Sequence, residues 1–187
     1  MNSIKFYIIS EKYIEYLSKF DNHVSWNKNQ KRPYIGVVLE IKNILYFAPL
    51  YSYKKKYDKY KENASFIRVE NRKGDKLSII RFAEMIPVCK NAIELLDFEA
   101  RGDKYKNLLQ AEYEFINDNK IKIYTKARKI YKNIVKTKIP FYIDISCDFK
   151  LLEEKCIEYE NIWKLYLLKE QYYDIINKNF LPSASVI

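Results

Sequence analysis

Glycine is nearly missing from this chain, with three residues in 187. That scarcity excludes a glycine-rich phosphate loop and a dinucleotide fingerprint, because both need glycine where the backbone closes on phosphate. The single histidine, His23, excludes any mechanism that needs two. No His-Glu-x-x-His run occurs, and Cys89, Cys147 and Cys156 are an odd number without Cys-x-x-Cys spacing. Neither a metal site nor a disulfide framework is therefore expected, and the thiols should be reduced and mostly buried. No cofactor is expected either. No run approaches the ~18 apolar residues of a membrane-spanning helix, and residues 1–5 (MNSIK) show no signal-peptide pattern. These absences point to a soluble, cytoplasmic protein without a membrane partner.

What the chain has in excess is positive charge and aromatic surface. Lys and Arg number 34 against 24 Asp and Glu, a net charge of +10, beside 18 tyrosines and 10 phenylalanines. Such a surplus is best tolerated when an anionic partner neutralises it. Aromatic faces that stack on unpaired bases, between cations that follow a backbone, favour RNA or single strands. A lysine- and isoleucine-rich composition also reflects genomic base bias, so composition by itself supports a basic globular protein. The length suits one domain, taken as 1–187 with a loose tail at 181–187.

Residues 4–9 form a β-branched and aromatic run, followed by Ser10 as a helix N-cap and by Tyr13, Ile14, Leu17 and Phe20 at helical spacing. Residues 21–32 read as a polar loop. YIGVVLEI (34–41) and ILYFAPL (44–50) are two strands joined by Lys42-Asn43, a gap suited to a tight hairpin. Their nearly continuous apolar character predicts burial on both faces. Pro49 cannot donate to a ladder, so the second strand should end, bulge or reach an edge there. A second hairpin is expected around residues 71–75, a helical turn at 81–84, and short strands at 85–88 and 93–98.

After Gly102 the period changes. Tyr105, Leu108, Leu109 and Ile116 fit one helical face, and Ile123, Ala127, Ile130, Tyr131 and Ile134 another, with a break near Asn117-Asp118-Asn119. Residues 137–145 read as irregular with Pro140 as breaker. Asp148 should cap a long last helix that covers the sheet. The predicted fold class is α+β: a compact, strongly twisted, mostly antiparallel β-sheet core of five to seven strands, covered by helices that include long C-terminal ones.

The stretch YFAPLYSYKKK (46–56) delivers Ser52, two tyrosines and a lysine block to the end of an apolar strand. RNA carries its own nucleophile in the 2′-hydroxyl. A protein can cleave it by aligning that oxygen with phosphorus and stabilising the phosphate charge with Arg and Lys donors. A buried strand followed by a solvated turn has the same composition, and spacing alone does not choose between the two.

Four stretches, FYIISEKYIEYL, RPYIGVVLEI, YFAPLYSYKK and CDFKLLEEKC, resemble in order the ToxN/AbiQ family of type III toxin-antitoxin endoribonucleases, over residues 5–159. The resemblance implies a twisted core like that of MazF/Kid toxins. It also implies metal-independent RNA cleavage that leaves 2′,3′-cyclic phosphate and 5′-hydroxyl ends. The implied partners are a small repetitive pseudoknot RNA antitoxin, a cellular or phage RNA substrate, and further toxin protomers joined through RNA in a closed hetero-oligomer, with a role in phage defence by abortive infection.

The family segment Leu-Thr-Ser-Pro-Lys maps its serine to Ser52 and its lysine to Lys54, while Tyr51 and Tyr53 replace the threonine and the proline. Tyr51 keeps a hydroxyl, farther from the backbone. A family cation maps to Arg32, and a tyrosine of the first helix to Tyr13. The implied catalytic group is thus Ser52, Lys54, Arg32 and Tyr51. RNA contacts are assigned to Tyr13, Tyr53, Lys55 and Lys31, and to Lys122, Lys126 and Lys129 on a basic helical stripe. Each has a plainer reading: Tyr13 as core, the lysines as solvated faces, Ser52 as a turn residue, His23 as a surface loop residue. The alternative for the whole chain is a non-catalytic basic RNA-binding module.

Overall fold

The computed structural model describes residues 4–26, 32–100 and 102–180, with backbone only for 172–180. Strand β1 (Lys5–Ile9) runs into helix α1 (Glu11–Ser18), and the Ser10 hydroxyl accepts from the Tyr13 amide at 3.3 Å. That contact satisfies one of the donors a helix start leaves open. The helix buries Tyr13, Ile14 and Leu17.

Strands β2 (Tyr34–Ile41) and β3 (Ile44–Ser52) form the expected hairpin. Lys42 and Asn43 both adopt positive φ, 49° and 68°. This left-handed pair matches the right-handed twist of the flanking strands. Both strands are buried along most of their length, as their apolar runs predict. Gly36 in β2 lies under Phe47, where an added Cβ would fall 2.1 Å from the ring. Only glycine lets the ring approach the strand this closely.

Strands β4 (Phe66–Glu70) and β5 (Lys76–Arg81) make the second hairpin, and β6 (Ile86–Val88) and β7 (Ile93–Leu95) are short. The seven strands pair antiparallel in the order β4-β5-β3-β2-β1-β7, with β6 also on β3. Strand β3 therefore changes neighbours along one edge, pairing with β6 through residues 45–47 and with β5 through 50–52. Pro49 falls between the two. The Leu50 amide donates to Pro33 on the β2 side at 3.0 Å. Alternation along the strand then puts the donor Pro49 lacks on the opposite side, facing the seam where no ladder bond is required.

Helix α2 (Asp103–Asp118) packs on β4 and β5, and α3 (Lys120–Tyr131) packs on β2. The break at Asn119 lies where expected. Residues 137–145, predicted irregular, instead contain the short helix α4 (Pro140–Asp144). Pro140 occupies its first turn, where a missing N–H costs nothing, and so starts a helix that it would have broken from the interior.

The last helix, α5 (Phe149–Phe180), begins at Asp148, whose carboxylate accepts from the amides of Lys150 and Leu151 at 3.1 Å each. Its first turns bury Phe149, Leu152 and Cys156. Buried Glu153 accepts from the hydroxyls of Tyr46 at 2.8 Å and Tyr131 at 2.7 Å, tying α5 to β3 and α3. The expectation that this helix covers the sheet holds only for these turns, since residues 161–171 are all exposed. Most of the buried apolar side chains form one contiguous cluster, which includes all three cysteines as free thiols. The expected loose tail at 181–187 lies outside the described residues.

Candidate active site

The end of β3 is where the predicted residues meet. Arg32, Tyr51 and Ser52 line one small, open-mouthed cavity of about 70 Å³ together with Pro33, Leu50, Tyr105, Leu108 and Glu112. Ser52 pairs with Ser78 of β5. Directly opposite residues of an antiparallel pair project to the same face. Residues 105, 108 and 112 recur at helical spacing, so one face of α2 covers this corner.

Tyr51 is fixed by charge on several sides. Its hydroxyl donates to Glu84, which also accepts from the Ser25 hydroxyl and pairs with Arg81 at 2.5 Å. The Arg32 guanidinium stacks over the Tyr51 ring at 3.9 Å, and Arg81 reaches it at 5.6 Å. A cation held over an aromatic face contributes about 0.5–2 kcal/mol, more as water is removed. Arg32 is buried and donates from Nε to the Trp26 carbonyl at 2.9 Å. Burial, followed by the Glu84 charge, raises the Tyr51 phenol far above its usual range, so it stays a neutral donor at physiological pH.

The lysines of the motif follow Ser52 in the chain and do not line the cavity. Ser52 is exposed, as are Lys54 and Lys55, and Lys54 is in extended conformation just before a short 3₁₀ turn (Lys55–Lys59). Half-buried Tyr53 packs against Tyr57, with the Lys76 amine 5.5 Å over its ring. A hydroxyl, a neutral phenol, two guanidiniums and lysine amines can grip a phosphodiester and stabilise charge that develops on it. Among the described residues no three His, Cys, Asp or Glu side chains converge as metal ligands would.

Other predicted contacts lie elsewhere. Tyr13 is completely buried, its hydroxyl donating to the Pro87 carbonyl at 2.8 Å and its ring against Tyr159. Its assignment to RNA is therefore corrected to a core role, the one its helical spacing indicated. Lys122 and Lys126 each sit 3.3 Å from Glu62, and Lys126 also donates to the Asn63 carbonyl. The Lys126 amine is mostly buried, so on this stripe its assignment to RNA gives way to an internal pair, whereas Lys129 is exposed. Lys31 lies outside the described residues. His23 bridges Asp21 and the Asp144 carbonyl at 3.2 Å each, a structural tie far better engaged than a free loop residue.

Sequence reasoning missed Glu84, Arg81 and Glu112. For Glu112 a signal existed, because position 112 lies four residues after Leu108 and four before Ile116, on the apolar face of α2. An acid there is 3% exposed, and burial pushes its carboxyl up to about 7. The Ser78 hydroxyl offsets part of this without reaching hydrogen-bond geometry.

The chain resembles known proteins over most of its length. It is 33% identical over 167 residues to the endoribonuclease ToxN of Bacillus thuringiensis subsp. kurstaki, covering 83% of this chain and 84% of that one. It is 31% identical over 165 residues to the endoribonuclease AbiQ of Lactococcus lactis subsp. lactis, covering 84% and 90%. The solved structure of AbiQ, a lactococcal anti-phage endoribonuclease of a type III toxin-antitoxin system, matches with a TM-score of 0.79 at 29% identity, over 86% of this chain and 99% of that one. A second structure, from work on selective toxin inhibition by a non-coding RNA pseudoknot, matches with a TM-score of 0.77 at 31% identity, over 85% and 99%. The family model for toxin ToxN of type III toxin-antitoxin systems matches residues 5–157. With its sheet, its helices and most of its length accounted for in this way, the chain belongs to the ToxN toxin family.

Proposed function

We propose that the chain is the endoribonuclease toxin of a type III toxin-antitoxin system, a single toxin domain acting in the cytoplasm against cellular or phage RNA. A small repetitive pseudoknot RNA holds it inactive in a closed assembly of protomers and RNA. The observation that carries this reading is the convergence of Arg32, Tyr51 and Ser52 on one cavity, with exposed Lys54 and Lys55 following Ser52 in the chain. Family membership and the anti-phage, RNA-inhibited character of its structural relatives support the same assignment.

In this reading Ser52 and Lys54 hold the scissile phosphate, and Arg32 helps neutralise the charge that builds on it. Tyr51 orients Arg32 through the ring stack. Attack of the 2′-oxygen leaves a 2′,3′-cyclic phosphate and a 5′-hydroxyl. Tyr53, Lys55, Lys129 and Lys31 extend the contact along the RNA backbone.

The test is growth inhibition on expression without the antitoxin RNA. Wild type should arrest growth and, purified, cut RNA in EDTA to cyclic-phosphate ends. Ser52→Ala should abolish both while remaining folded. A Ser52→Ala variant that arrests growth as strongly as wild type would move the site elsewhere.

A further inference from the structure

The reaction needs a group that takes the 2′-hydroxyl proton, and the motif residues at the site are poor acceptors. Lysine ammonium groups have no lone pair to offer. Tyr51 is held as a neutral phenol that donates to Glu84. His23 lines a different cavity, with both ring nitrogens engaged. Glu84 already accepts from Tyr51, Ser25 and Arg81.

Glu112 is different. It is a carboxyl at a core position of α2, 3% exposed, and it lines the same cavity as Ser52, Arg32 and Tyr51. The groups around that cavity are the Ser52 hydroxyl and the Tyr51 ring from β3, Arg32 from the segment before β2, and Tyr105 on its own helix. Ser78 stands opposite Ser52 on β5, and its buried hydroxyl has no hydrogen-bond partner among the described residues. Among the described residues no ion pair neutralises Glu112 there. Burying a carboxyl without a counter-charge is costly, and a leucine or glutamine would avoid that cost. Buried acids of this kind in a cleft concentrate at functional sites.

We infer that Glu112 is the proton acceptor for RNA cleavage, reached by the 2′-hydroxyl that enters the cavity beside Ser52, directly or through one water. The inference rests on the endoribonuclease reading. In the step, the O2′–H proton moves to the Glu112 carboxylate, the O2′–P bond forms and the P–O5′ bond breaks. The departing 5′-oxygen takes a proton from water at the open mouth, and Glu112 returns its own to solvent. Its burial-raised carboxyl, titrating at about 7, matches a base that must be half available at neutral pH. A cavity of about 70 Å³ admits a few waters or a sugar hydroxyl.

The experiment is single-turnover cleavage of one RNA from pH 5 to 9 in EDTA, for the wild-type chain, Glu112→Gln and Glu112→Asp. Binding of a substrate with 2′-deoxyribose at the cleaved position is measured alongside. Wild type should gain rate up to about pH 7 and then level off. Glu112→Gln should lose roughly 100-fold or more and the inflection with it, at unchanged affinity for the deoxy substrate, while Glu112→Asp restores part of both. A Glu112→Gln enzyme that keeps the wild-type rate overturns the inference, as does one that is slower at every pH yet keeps the inflection, or one that has lost affinity. A wild-type chain that cuts no RNA removes the endoribonuclease reading as well, which separates that failure from this one.

Discussion

Glu112 occupies a position where helical spacing asks for an apolar side chain, and its ionisation opposes the fold. The unfolded carboxyl titrates near 4.5 and the folded one at about 7. Below pH 4.5 both states hold the proton and nothing is lost. Between those values the unfolded state releases its proton first, so stability falls as pH rises, by about 3 kcal/mol in order of magnitude once above pH 7. Glu112→Gln should match wild type in urea unfolding at pH 4.5 and exceed it at pH 8. Parallel pH curves for the two would mean that the carboxyl is not buried as described.

The residues found by reading the chain, Ser52 and Lys54, belong to one contiguous motif, and Arg32 lies close to it across a hairpin. Glu112 joins them only through the docking of α2 on the sheet, a contact no local pattern encodes. Tyr13 shows the reverse case. Its apolar spacing indicated core, and its complete burial upholds that over the RNA contact implied by resemblance.

Among the elements, the β2–β3 hairpin was plain in the chain because two residues of turn type separate two β-prone runs, and the turn geometry is local. The start of α5 at its Asp148 cap was readable too, but neither its full length to Phe180 nor what it covers was, since periodicity reports an apolar face and not its partner. Phe149, Leu152 and Cys156 are buried, while Ile162, Leu165, Leu167 and Leu168 are exposed. Truncation after Glu160 should therefore change unfolding free energy by less than about 1 kcal/mol, whereas Leu152→Ala should cost about 2–5 kcal/mol. Chemical denaturation of both variants checks the contrast, and equal losses would mean that the distal helix is packed. The truncated chain should also stay in solution at higher concentration, having shed exposed apolar surface.

At the scale of the molecule, sequence patterns supported an antiparallel sheet with helices after it, because consecutive runs pair with their neighbours. The pairings β1–β7, β3–β5 and β3–β6 join strands distant in sequence, and they make the sheet one body. The seam at Pro49 has a dynamic consequence. The part of β3 before it is held between β2 and β6, while the site end is held by β5, with the Tyr53 amide donating to Leu77 at 3.0 Å. The amide protons of Tyr51 and Tyr53 should exchange with solvent together with those of the β4–β5 hairpin, and faster than those of Tyr46 and Phe47. Uniform exchange along β3 would refute this. RNA gripping Ser52 would then slow exchange across a hairpin most of which it does not touch, so occupancy of the active site can be followed from the far strand of that hairpin.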